Sequence, residues 1–135
     1  MNLNRRQFLL LTTGVAALSC PSVEADTHSA VPGKIINAGP MSDYAKDGVY
    51  SRFKDAGFFI VRKGDNLFAV SSYCTHRKCK LTAEADRTFY CSCHGSTFDP
   101  KGHVTKGPAR VDLPVFSTSS NERGQLLVTV RQQAR

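Results

Sequence analysis

The sequence has almost no helix signals, no internal repeat and no low-complexity tract. It also lacks an apolar run long enough to cross a bilayer comfortably, because the run from Phe8 to about Ser19 falls short of the ~20 residues required. The five cysteines form neither an even-numbered disulfide framework nor a pair of CxxC zinc knuckles. Ordinary apolar (41%) and charged (21%) fractions argue against a disordered or fibrous chain. These absences leave one compact, strand-rich domain as the expected architecture.

Acidic residues are in the minority, with 11 Asp and Glu against 18 Lys and Arg, and the formal net charge is +7. A basic surface favours acidic partners. The basic residues are scattered among acidic ones from Lys34 to Arg135, and no basic stripe interleaved with aromatic residues stands out. We therefore expect no nucleic-acid binding.

The N-terminus has the composition of an export signal. Arg5 and Arg6 precede the apolar run, and small residues end at Ala25 before Asp26, as at a cleavage site. The segment Asn4-Arg5-Arg6-Gln7-Phe8-Leu9 closely resembles a twin-arginine signal. We expect residues 1–25 to be this signal and residues 26–33, which are small and polar, to be a linker. The alternative is a cytoplasmic protein with an apolar N-terminus.

Cys20 leaves three outcomes open for the signal. Ala17-Leu18-Ser19-Cys20 resembles a bacterial lipobox with a poor first position, so Cys20 could carry a lipid. It could instead be discarded with the signal, or the signal could stay uncleaved as a membrane anchor. Two of these outcomes would attach the protein to the membrane. In each of them the exported domain lies in the periplasm or on the outer face of a bacterial inner membrane.

Residues 34–135 read as short strands separated by turns, which predicts an all-β sandwich or barrel and not a parallel sheet. The Gly64-Asp65-Asn66 stretch joins two of these strands as a hairpin. Further turns are predicted at 99–102 and 121–124. The predicted strands are Lys34–Asn37, Val49–Lys54, Gly57–Lys63, Leu67–Tyr73, Thr88–Cys91, Ser96–Phe98, Val111–Phe116 and Gln125–Arg131.

Two short boxes carry the chemistry. Cys74-Thr-His-Arg-Lys-Cys79 and Cys91-Ser-Cys-His-Gly-Ser96 each offer one thiolate and one imidazole after an extended stretch. A [2Fe–2S] cluster with two cysteines on one iron and two histidines on the other requires this set of ligands. Zinc is the alternative, but its usual C-x2–4-C and H-x3–5-H spacings are missing.

The pattern C-T-H-x-x-C followed by C-x-C-H-G-S resembles the Rieske family, and Gly107-Pro108-Ala109 resembles its proline loop. The resemblance runs from about Phe68 to Phe116. It implies a Rieske-type antiparallel β sandwich with a small cluster-binding subdomain of two loops, covering about residues 72–109.

The same resemblance implies roles for individual residues. Cys74 and Cys91 would ligate the buried iron, and His76 and His94 the outer iron. Cys79 and Cys93 match the disulfide of the family, and two free buried thiols are the alternative. The residues that the resemblance places around the cluster are Gly95, Ser96, Phe98, Pro108 and Arg77.

Two departures from the family pattern affect the predicted potential and partner. Phe98 stands where high-potential relatives carry a tyrosine that donates to a cysteine sulfur, so we expect a lower potential; simple core packing is the alternative role. Arg77-Lys78 stands where quinol-oxidising relatives carry Leu-Gly, and a doubly positive tip favours an acidic protein surface. Ordinary solvated charge is the alternative there.

The resemblance implies one-electron transfer by an exported carrier or by a subunit of a respiratory oxidoreductase. Its partners would be quinol, a cytochrome b or c, or a molybdenum subunit as in arsenite-oxidase-like enzymes. A Rieske ferredoxin or oxygenase is a third possibility, although the chain has no room for a catalytic iron domain. Nothing in the sequence indicates that the chain alone turns over a substrate, and His28 and His103 receive no role.

Overall fold

A computed structural model of the chain describes residues 33–131. The predicted signal, Cys20 and nearly all of the predicted linker lie outside the described residues. Residues 33–131 include no helix that is both long and apolar enough to span a membrane. Their helical structure is limited to two 3-10 turns, Met41–Tyr44 and Lys54–Ala56. The strands are β1 (Lys34–Pro40), β2 (Gly48–Tyr50), β3 (Phe58–Lys63), β4 (Asn66–Ser71), β5 (Thr82–Ala83), β6 (Phe89–Tyr90), β7 (Thr97–Phe98), β8 (Val104–Lys106), β9 (Val115–Ser120) and β10 (Gln125–Val130).

The strands form two antiparallel sheets. The larger sheet has the order β1-β10-β9-β4-β3-β2, and the smaller one has the order β5-β6-β7-β8. Strand β9 joins the two halves of the larger sheet, because Val115 and Phe116 pair with β4 while Ser117 and the residues after it pair with β10. The sheet thereby curls over its own core, and the predicted all-β antiparallel architecture is confirmed.

The hairpin β3–β4 lies at the centre of the molecule and is buried on both faces. Side chains alternate along a strand, so Phe59 and Val61 pack toward the small sheet, whereas Phe58 and Ile60 pack toward β1, β9 and β10. This explains why Phe58–Val61 is a continuous apolar run and not an alternating one. One of the two cores therefore lies directly beneath the loops that carry the cysteines and histidines.

The structure corrects several strand predictions. Strand β2 ends at Tyr50, and Lys54 begins a 3-10 turn that closes at Gly57, where φ is +106°. Only the end of the predicted strand Val111–Phe116 is extended in a sheet, since the chain before Val115 crosses from the small sheet to the large one. Strands β5 and β8, of two and three residues, are too short to give a periodic pattern. The β3–β4 hairpin and the turns at 99–102 and 121–124 lie where the sequence predicts them.

Candidate metal centre

Two loops of the same conformation hold the cysteine and histidine side chains. The first follows β4 and the second joins β6 to β7. In each loop the cysteine carbonyl accepts a hydrogen bond from the N–H four residues later, Lys78 to Cys74 and Gly95 to Cys91, both at 2.9 Å. That fourth residue has a positive φ in both loops, +61° at Lys78 and +81° at Gly95. The two ligand boxes are thus matching turns, although their sequences place the histidine differently.

The four predicted ligands meet at one end of the molecule. The thiols of Cys74 and Cys91 are unpaired in disulfides and only 1% and 2% exposed, whereas both histidines are exposed. The rings of His76 and His94 lie with their centroids 5.0 Å apart, nearly perpendicular to each other. Two sulfur donors therefore lie on the inner side and two imidazole donors on the outer side.

The environment of Cys74 disfavours its ionised form in the cluster-free chain. Burial raises the pKa of the Cys74 thiol, and the neighbouring Cys91 thiol raises it further. The backbone N–H of His76 and the hydroxyl of Ser96 partly oppose this shift, because each contributes a hydrogen bond that favours the thiolate. A bound cation would reverse the balance, since thiolates are the form that ligates metals.

A disulfide between Cys79 and Cys93 fastens the two loops together. Its Cα atoms are 6.5 Å apart and 14 residues separate the two cysteines in the sequence. The sulfur atoms of Cys79, Cys91 and Cys93 all lie within 4.8 Å of one another. The bridge therefore borders the buried Cys91 thiol directly and restrains both loops beside it.

A third segment closes the site from the other side. The N–H of Ala109 donates to the Ser96 hydroxyl at 3.0 Å, and Ser96 is fully buried. The Thr75 hydroxyl donates to the carbonyl of Val111 at 2.6 Å. The Gly107–Pro108 peptide just before these contacts is cis, and Pro108 is exposed. Segment 107–111 is thus hydrogen-bonded to both ligand-bearing loops.

Phe98 and Arg77 occupy contrasting places near the site. Phe98 is fully buried, pairs in register with Phe89, and belongs to the same core as Cys74 and Cys91. Arg77 is exposed at the tip of the first loop. The structure therefore gives Phe98 the packing role that the sequence left open and places Arg77 on the surface beside His76.

Two hydrogen-bonded contacts near the site are not predicted from the sequence. One is the Thr75–Val111 hydrogen bond described above. The other involves His103, whose Nδ1 lies 2.8 Å from Asp112 Oδ2, while Asp112 Oδ1 accepts from the N–H of Val104 at 2.9 Å. Both contacts join segments that follow different strands, and no sequence motif marks such pairs. His28 lies outside the described residues.

The donor atoms of the site can be compared with the ligands that a [2Fe–2S] cluster requires. Two buried thiols and two exposed imidazoles from two matching loops provide the mixed cysteine and histidine ligation that such a cluster needs. Hydrogen bonds that favour a negative sulfur are already in place at Cys74. The fold and the site together define an all-β iron–sulfur electron-transfer domain.

The chain belongs to the Rieske [2Fe-2S] domain family, whose model matches residues 35–117. It is 31% identical to the cytochrome b6-f complex iron-sulfur subunit of Chlorobaculum tepidum, over 96% of this chain and 77% of that protein. It is 35% identical to the corresponding subunit of Chlorobaculum thiosulfatiphilum, but that match covers only 48% of this chain and 36% of the relative.

A solved structure of another Rieske protein is also similar to this chain. The plasma membrane Rieske protein PetC3 from Synechocystis is 31% identical and superposes with a TM-score of 0.56, covering 70% of this chain and 99% of that one. A complex of oxygenase and ferredoxin in carbazole 1,9a-dioxygenase contains a chain of the same fold at 24% identity, with a TM-score of 0.51. The protein therefore carries one [2Fe–2S] cluster and transfers single electrons, and the zinc alternative is set aside.

Proposed function

We propose that Cys74 and Cys91 ligate one iron of the cluster and that His76 and His94 ligate the other. The observation that carries this assignment is the convergence of two buried thiols and two exposed, neighbouring imidazoles on matching loops. When bound, the cluster accepts and returns one electron at a time. The exposed histidine rings form the edge through which a partner can approach.

The set of two cysteine and two histidine ligands also supports a reduction potential above that of four-cysteine clusters. Two thiolates balance the charge of two ferric ions and two sulfides, whereas four thiolates leave a net charge of −2. An added electron is more favourable at a neutral centre, and Rieske potentials accordingly lie at about −150 to +300 mV against about −400 mV for plant-type ferredoxins.

We further propose that the protein is exported by a twin-arginine-type signal in residues 1–25, followed by a linker in residues 26–33 and the cluster domain in residues 34–135. Support comes from the sequence pattern of Arg5-Arg6 and the apolar run after it. A lipid on Cys20 or a retained signal would hold the domain at the outer face of the inner membrane. The intact mass of the protein recovered from the periplasm and from the membrane fraction separates cleavage, lipidation and retention.

The partner we propose is a cytochrome complex, as suggested by the names of the relatives, with quinol or a molybdenum subunit as the second candidate. The chain acts as an electron-transfer protein or subunit, not as a catalyst alone. Purification from native membranes distinguishes these partners. A co-purifying cytochrome b supports the cytochrome complex, and a co-purifying molybdenum protein supports the molybdenum subunit. A free monomer supports a carrier that meets its partners transiently.

The ligand assignment is tested by electron paramagnetic resonance of the dithionite-reduced protein. We expect the low average g value of a mixed-ligand cluster, which is lost in His76→Ala and in His94→Ala. His103→Ala is the matched control, because it removes a histidine outside the two loops and leaves the signal intact. A four-cysteine signal in the native protein, or a mixed-ligand signal that survives both substitutions, contradicts the assignment.

A further inference from the structure

The segments that flank the two histidines carry several cations, and the carboxylates next to them, Asp55 and Asp112, are bonded to Lys80 and His103. Segments 74–80, 91–98 and 104–111 contain no Asp or Glu. They contain five exposed Lys and Arg residues, of which we call Arg77, Lys106 and Arg110 the basic face. Lys80 also lies here but is bound to Asp55 at 2.7 Å, so its charge is largely balanced.

Hydrogen bonds fix the basic face relative to the ligand loops. Ala109 is bonded to Ser96 and Val111 to Thr75, so that Arg110, between them, is held beside both loops. Val111 itself is 65% exposed, which is unusual for an apolar side chain next to a rigid site. Arg77 follows His76 in the chain and Arg110 precedes the exposed Val111, so cations and an apolar side chain both lie beside the loops that carry the histidines.

We infer that the basic face docks an acidic redox protein, which presents carboxylates around an apolar contact opposite Val111. This inference rests on the proposed function, because it concerns the partner at the histidine edge. One electron passes between the partner's redox centre and this protein; no covalent bond changes, and the oxidation state of each side changes by one. Complementary charge of this kind accelerates encounter and orients the two centres.

A quinol and an anionic lipid membrane fit the basic face less well than an acidic protein does. A neutral quinol gains no Coulomb energy from these cations. An anionic lipid surface is attracted by them, but lipid headgroups offer no centre that exchanges an electron at the histidine edge. A protein with an acidic rim satisfies both the charge and the need for a redox centre nearby.

Charge reversal tests the inference with a matched control. Arg77→Glu/Arg110→Glu changes the basic face by four charges, and Lys46→Glu/Lys63→Glu changes the same total charge elsewhere. Lys63 ends β3 at the hairpin, and Asp47 accepts from the Gly64 N–H at 2.9 Å, so the control pair lies at the other end of β4. Six strand residues separate the two regions by about 20 Å.

The probes are two small one-electron oxidants of opposite charge, ferricyanide and tris(phenanthroline)cobalt(III), mixed with the reduced holoprotein in stopped flow. For native protein we expect ferricyanide oxidation to slow with added salt and cobalt oxidation to speed up. Arg77→Glu/Arg110→Glu should slow ferricyanide oxidation about tenfold at low salt, after correction for any change in midpoint potential. Lys46→Glu/Lys63→Glu should leave both rates near the native values.

A second readout does not depend on electron transfer. Redox-inert hexacyanochromate(III), which is paramagnetic, should broaden the amide NMR signals of Lys106, Arg110 and Val111 in native protein and not in Arg77→Glu/Arg110→Glu. Equal salt dependence in both double variants, or broadening centred on Lys46 and Lys63, overturns the inference. So does binding to phosphatidylglycerol vesicles that depends on Arg77 and Arg110 while the ferricyanide rates do not. A missing mixed-ligand resonance signal would instead contradict the proposed function.

Discussion

Phe98 is a single side chain whose lack of a hydroxyl we propose to affect the electronic environment of the cluster. It is fully buried in the same core as Cys74 and Cys91. A phenyl ring cannot donate a hydrogen bond, and donors to cluster sulfurs stabilise the more negative, reduced state. We therefore expect the surrounding core to favour the oxidised cluster more than a tyrosine-containing core would.

Phe98→Tyr is therefore expected to raise the reduction potential. A net gain of about 1 kcal/mol for one hydrogen bond corresponds to about 40 mV in a one-electron couple. A spectroscopic redox titration measures this shift. Phe58→Tyr is the control, since Phe58 is equally buried but belongs to the other core. An unchanged potential in a folded, cluster-loaded Phe98→Tyr variant contradicts the role assigned to Phe98.

At the scale of the elements, the Cys79–Cys93 bridge restrains two loops that no sheet hydrogen bond joins directly. A closed loop of about 15 residues contributes roughly 3 kcal/mol in the chain-entropy model. Strands β5, β6 and β7 already connect the two loops, so the gain in global stability should be smaller. The main effect is on the geometry beside the buried thiols.

Cys79→Ala/Cys93→Ala should therefore lower the unfolding temperature moderately and change both the potential and the visible spectrum of the cluster. Ser92→Ala, an exposed change in the same loop, is the control for local disturbance. Differential scanning calorimetry and a redox titration measure the two effects. Retention of the native potential and spectrum would show that the bridge does not shape the cluster environment.

The turn at 99–102 places a glycine where a side chain would be both conformationally strained and crowded. Gly102 has a φ of +89°, and a Cβ built on it would lie 3.2 Å from the Leu113 Cβ. Gly102→Ala should cost about 1–2 kcal/mol from backbone conformation and more from crowding. Gly64→Ala is the matched control, because φ is +56° there but no atom lies within 4 Å. Equal losses in chemical denaturation would contradict the crowding at Leu113.

The elements also show what the sequence can and cannot predict. The β3–β4 hairpin follows from Gly64-Asp65 between apolar runs, and the two ligand boxes identify the cluster type by residue identity alone. The segment before Val115 has a strand-like composition but crosses between sheets, a tertiary requirement that local pattern does not encode. The sequence indicates only part of the basic face, since Arg77 adjoins the proposed ligand His76, whereas Arg110 is held near the site by hydrogen bonds between loops.

At the scale of the whole molecule, the chain passes from the small sheet to the large one through residues 107–114. The Leu113 N–H donates to the Gly102 carbonyl and the Ser71 N–H to the Pro114 carbonyl, so this connection is bonded to both sheets. The His103–Asp112 pair lies at the same junction and joins the turn before β8 to the connection. Its charge state therefore bears on how firmly the two sheets are held together.

This pair predicts a pH-dependent stability. The hydrogen bond to Asp112, with the nearby charge of Asp99, raises the pKa of His103 above its ordinary 6.5, and the hydrogen bond to His103 lowers the pKa of Asp112 below 3.8. The contribution of a raised histidine pKa is complete below 6.5 and is lost as pH rises through the folded-state value. The contribution of the lowered Asp112 pKa is lost as pH falls through its own folded-state value. The pair thus stabilises the fold mainly between about pH 4 and the raised pKa of His103.

His103→Gln should therefore destabilise the protein more at pH 5.5 than at pH 9, by a small amount because both side chains are exposed. Urea unfolding at the two pH values gives the difference in the free energy of unfolding between native protein and variant. Lys80→Gln is the control, since it breaks an exposed pair of similar length whose members keep their charges across this range. A His103→Gln difference that is independent of pH would show that the pair acts by packing and hydrogen bonding, without a contribution from the histidine charge.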